Sequence, residues 1–116
     1  MGLDKNLLQV DVQELIASAE TLFVDAGKAK ARAAALDEKR KRKRSMLFVQ
    51  YRNLGKSAAD SEHLANADPR YLDAVEECEE ATVQSEVLRA KAEAMRMQFE
   101  AWRTVEASTR AAMTLR

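Results

Sequence analysis

Residues 55–70 read GKSAADSEHLANADPR, and the topology turns on this stretch. It holds one of the chain's three glycines, its single proline and its single histidine. Gly55 stands where a helix C-terminal cap belongs, because glycine enters the left-handed region without a Cβ penalty. Asp68-Pro69 is the opposite signal: an aspartate N-cap, then proline at the first helical position, where its missing N–H leaves no bond unmade. Between them, residues 56–67 predict a short connector helix, with Ser57 and Asp60 spaced as a capping box. One helix ends here and another begins.

Upstream of it, apolar residues recur at steps of three and four: Val12, Leu15, Ile16, Ala19, Leu22, Phe23, Ala26, Ala29, Ala33 and Leu36, then Leu47, Tyr51 and Leu54. That period predicts one helix over 11–55, roughly 44 residues long. Asp11 is its expected N-cap, with Glu14 completing a capping box. Residues 1–10 are expected as a frayed or loosely docked lead-in. Gly27 lies inside the helix, where it costs about 1 kcal/mol and could mark a kink. Downstream, the stripe reads Tyr71, Val75, Cys78, Thr82, Leu88, Ala92, Met95, Phe99, Trp102, Val105, Thr109 and Met113, with no glycine or proline after Pro69. A second long helix over 68–116 follows.

Two long helices joined by a short connector run antiparallel. The expected fold is therefore all-α: a coiled-coil-like helical hairpin forming one domain over residues 1–116. Composition agrees. Of 116 residues, 21 are Ala and only 32 are Val, Ile, Leu, Met, Phe, Trp or Tyr. This is a thin supply for a thick core and suits slim helix–helix seams. Trp102, Phe99, Met95, Met97 and Phe23 call for more cover than one partner helix gives, so a homo-oligomer is expected.

Net charge is zero, but it is blocked: −4 over 1–27, +9 over 28–56, −8 over 57–88 and +3 over 89–116. An antiparallel hairpin with Leu54 beside Arg70 would set the run 39–44 against Glu76, Glu77, Glu79, Glu80 and Glu86. Six consecutive residues, Lys39, Arg40, Lys41, Arg42, Lys43 and Arg44, nevertheless cover every side of a helix, since each step turns about 100°. One acidic face cannot neutralise them all. Arg32, Arg52 and Lys56 extend the patch. Cations hold phosphates while aromatics stack on bases, which makes Tyr51 and Phe48 stacking candidates. The competing reading is a solvated charged face paired with the acidic segment.

Catalytic constellations are absent. The glycines are scattered, so no phosphate-cradling loop exists, and no Ser–His–Asp or Cys–His grouping has a scaffold. A non-catalytic protein is expected, with no cofactor. With one histidine there is no paired Glu-x-x-His set for a di-metal site; His63 is expected at the connector surface and Cys78 in the core. A lone cysteine, no leader-like segment and no apolar run near 18 residues point to a cytoplasmic protein with no membrane partner.

The stretch from Leu47 to Thr109, with GKSAADSEHLANADPRYLDA and LRAKAEAMRMQFEAWRTVEAS, resembles the small phage recombination mediators of the UvsY-like type. Lys56-Ser57, Ala67-Asp68 and Trp102-Arg103 carry the resemblance; the glycine of that family's late Arg-Gly-aromatic element is missing here. The resemblance implies an oligomer that binds single-stranded DNA and helps load a recombinase against a single-strand-binding protein. By type, the DNA contacts would lie between Lys39 and Lys56. The rival expectations are a structural or adaptor coiled coil, and a small helical inhibitor that docks on a partner protein.

Overall fold

The computed structural model describes residues 5–114, with side chains from Asp11 onward. Residues 1–4, part of the expected lead-in, and residues 115–116 lie outside it. The described residues form three helices: α1 (Lys5–Asn53), α2 (Ala58–Ala67) and α3 (Pro69–Thr114). α1 begins at Lys5 rather than after Asp11, so residues 5–10 are helical. No glycine or proline separates Lys5 from Asp11, and extending an existing helix is far easier than starting one.

The punctuation in 55–70 works as the residue types dictate. Gly55 has φ +87°. The Lys56 N–H donates to the Tyr51 carbonyl at 3.2 Å, and the Gly55 N–H to the Arg52 carbonyl at 3.0 Å. These are the two bonds of a Schellman cap. Ser57 Oγ accepts from the Asp60 N–H at 3.1 Å and opens α2. Asp68 Oδ1 accepts from the Arg70 N–H at 2.9 Å, with Pro69 first in α3.

The chain packs as two compact units: 27–86, and the pairing of 1–26 with 87–116. In the 27–86 unit, α1 and α3 are antiparallel, since Gln50, Lys39 and Asp37 meet Arg70, Glu77 and Cys78 respectively. Its core is narrow and rich in small residues: Ala29, Leu47, Ser61, Ala65, Ala74, Cys78 and Ala81. Leu47 is 1% exposed and Ser61 is fully covered, so Ser61 lets α2 lie close. In the other unit only Ala19 and Ala92 are buried among the described residues. There Arg96 stacks over the Phe23 ring at 5.6 Å. This hairpin with a short connector helix is the architecture expected from the sequence.

Register differs from expectation. Arg70 meets Gln50, not Leu54, a slip of about one helical turn. The slip reaches about two turns further along, where Glu77 meets Lys39. At the connector this register is tied by Tyr51 Oη, which donates to Asp68 Oδ2 at 2.8 Å and joins the start of α3 to α1 before α1 ends.

Candidate nucleic-acid interface

The slip decides the fate of the basic run. Glu79 and Glu80 fall level with the acidic end of the 37–44 segment instead of with its lysines. Of the cross-hairpin pairs expected with Glu76, Glu77, Glu79 and Glu80, only Lys39–Glu77 forms among the described residues, at 3.8 Å between two well-exposed side chains. Glu76, Glu79 and Glu80 make no ion pair there, and the expected zipper between the run and the acidic cluster is largely absent.

The run instead divides by role. Arg40 is half-buried in the seam, filling the gap between Leu36 and Leu47 in the apolar stripe. Its Nη2 donates to Asp37 Oδ1 at 2.8 Å and its Nη1 to Tyr71 Oη at 3.0 Å. The Asp37 and Tyr71 bonds hold the guanidinium firmly charged, and Arg40 with Lys41 keeps the Asp37 carboxyl below its ordinary range. Lys41 Nζ lies 3.3 Å from Asp37 and 3.6 Å from Glu38. Arg44 leaves α1 sideways: Nε donates to Asn66 Oδ1 at 2.7 Å and Nη2 to Glu62 Oε1 at 3.0 Å, fastening α2. Arg40 and Arg44 are thus structural cations.

Arg42 and Lys43 have no carboxylate partner among the described residues. Glu38, four residues before Arg42, is engaged by Lys41. Lys43 is half-buried, and its charge has no ion-pair partner among the described residues. Lys28, Arg32, Lys39 and Lys43 follow at steps of four, seven and four, which places them on one flank of α1 over about 22 Å. Asp37 and Glu38, the acids of α1 in this unit, fall on other sides at about 100° per residue. Arg52 donates to the Lys56 carbonyl at 3.1 Å, bracing the turn, and neither residue has an acidic partner among those described.

The two aromatics separate as well. Tyr51 is committed to the turn, and its bond to Asp68 raises its own hydroxyl pKa. Phe48 lines an open groove of about 370 Å³ with Arg44, Ser45, Val49, Glu62 and Ala65. Met46 and Val49 continue an apolar surface beside Ser45 and Gln50. Sequence reasoning missed Asn66 and Glu62 as partners of Arg44. Their spacing of four on α2 was the available signal, unreadable until the side of α2 facing α1 was known.

His63 is exposed on α2. Cys78 is buried, with Sγ 3.9 Å from Asp37 Oδ1. Among the described residues no group of three His, Cys, Asp or Glu is placed to hold a metal ion, and no helix is long and apolar enough to cross a membrane. No family model, curated protein or solved structure matches the chain.

Proposed function

We propose that this chain is a non-catalytic accessory protein that binds single-stranded nucleic acid along the cationic flank of α1. One observation carries the reading. Of the eleven bases in 28–56, only Lys39, Arg40, Lys41 and Arg44 make ion pairs among the described residues. Lys28, Lys30, Arg32, Arg42, Lys43, Arg52 and Lys56 keep their charge available to a polyanion.

A single strand suits this surface better than a duplex. Lys28, Arg32, Lys39 and Lys43 lie in a file along one helix, while the acids Glu76, Glu79 and Glu80 occupy α3 of the same unit. A flexible strand can follow the file and bend away from those carboxylates; a duplex, with a persistence length of about 150 base pairs, cannot. Phe48 beside Arg44 supplies the aromatic for base stacking. In the form implied by the resemblance to recombination mediators, the bound strand is presented to a recombinase, and the protein works inside the cell without a cofactor.

A structural or adaptor coiled coil is the second reading, favoured by the four cations that are paired internally. A fluorescence-anisotropy titration with a labelled single strand at two salt concentrations separates the two. Binding at low salt that weakens steeply as salt rises supports the first, as counterion release requires. No binding at low salt leaves the second.

A further inference from the structure

The unit formed by 1–26 and 87–116 has almost no covered core. Its buried described residues are two alanines, Ala19 and Ala92. Leu22, Phe23, Leu88, Met95 and Phe99 are half-buried, and other large apolar side chains lie open: Leu15 is 47% exposed, Ile16 44%, Trp102 54%, Val105 64% and Met113 69%. A groove of about 350 Å³ runs along α3, lined by Trp102, Val105, Thr109 and Met113 and by the ion-paired Glu106 and Arg110. Trp102, Val105, Thr109 and Met113 recur at steps of three and four along α3, an apolar row edged by the Glu106–Arg110 pair and closer to the pattern of a covered helix face than of a solvated one.

Charge says what covers it. Over 11–26 α1 carries Asp11, Glu14, Glu20 and Asp25 and no base. None of these four acids makes an ion pair among the described residues. Over 87–114 α3 carries five bases and three acids, and the ion pairs Arg96–Glu93 and Arg110–Glu106 stay within α3. Lys91 and Arg103 are unmatched among the described residues. An anionic lipid surface or a nucleic acid would be repelled by the acidic α1 edge. A second copy of the same unit offers apolar surface flanked by one acidic and one basic helix, so each edge meets its opposite. We infer that this face is a self-association surface on which two copies pack about a two-fold axis, enclosing Trp102 and Val105 between them. The inference is independent of the nucleic-acid reading, because it uses the other unit.

Trp102 is the chain's only tryptophan, so its emission reports this surface directly. The test is light scattering after size exclusion on the full chain, with tryptophan emission followed over a hundredfold concentration range. Wild type is expected to have at least twice the monomer mass, with emission moving to the blue as concentration rises. Val105→Glu should give monomer with helical circular dichroism retained, while Val83→Glu, at an equally exposed site in the other unit, should leave the assembly intact. A monomeric wild type, or an assembly that forms with no change in Trp102 emission, overturns the inference; should Val105→Glu fail to fold, the emission result decides.

Discussion

Four hydrogen bonds converge on the Asp68 carboxylate, from Tyr51 Oη and from the backbone N–H, Nε and Nη2 of Arg70. Asp68 is 5% exposed, and the Arg70 and Tyr51 bonds hold its carboxyl well below the usual range. A carboxylate with a lowered folded pKa stabilises the fold fully above the unfolded value, about 3.9, and loses that contribution as pH falls further. Thermal unfolding followed by circular dichroism should therefore show a midpoint that drops below about pH 4. Asp68→Asn should lower the midpoint at neutral pH and flatten this acid dependence, whereas Tyr51→Phe should shift it less. An unchanged acid profile in Asp68→Asn would show that the carboxylate is not the anchor of the turn. Ser61 presents the reverse case: its Oγ is fully covered and has no hydrogen-bond partner. Ser61→Ala removes a desolvated hydroxyl without changing the close approach of α2, and should stabilise the chain by about 1 kcal/mol in chemical denaturation. A loss of stability would mean that the hydroxyl is satisfied in solution.

Among the helices and their caps, the two glycines on and beyond α1 make a matched pair. Gly27 lies in the helix with open space where a Cβ would point and without positive φ, while Gly55 has φ +87°. Gly27→Ala should raise stability by about 0.5–1 kcal/mol, and Gly55→Ala should lower it by about 1 kcal/mol, both read from urea unfolding. Equal effects would show that Gly55 is not the α1 cap. These elements were legible because their signals are local: Gly55, Ser57 and Asp68-Pro69 act within a turn of where they stand, and the seam shows as a three–four repeat. The pairing of the charges was not legible. It depends on which residue of α1 lies beside the start of α3, where Tyr51 meets Asp68 and Gln50 meets Arg70, and on how α2 lies back on Arg44. A slip that grows from one turn to two leaves the apolar repeat matched but carries Glu79 and Glu80 past the lysines to the level of Asp37. The same limit hid Arg40 in the seam: a long cation with an apolar stem reads as solvent-facing in a sequence, yet can fill a narrow groove.

Across the whole chain, zero net charge conceals a division of labour among cations that look alike in sequence. Arg40 and Arg44 hold helices together; Lys39 and Lys41 have weak, exposed partners; Arg42 and Lys43 have none among the described residues. Arg42 is exposed and unpaired among the described residues, so its change should cost the fold little, and helical circular dichroism of the variant checks that the half-buried Lys43 tolerates its own change. Their chemistry should show in binding. The decisive comparison is an anisotropy titration of a single-stranded oligonucleotide with wild type and with Arg42→Glu/Lys43→Glu over a series of salt concentrations. Wild type should give a log–log salt slope of about −3, for roughly four to five phosphates neutralised, and the double variant should bind at least about tenfold more weakly with the slope reduced by about 1.4. Superimposable isotherms for the two proteins, or no binding by wild type at low salt, would refute the assignment of the unpaired cations of α1 to a polyanion.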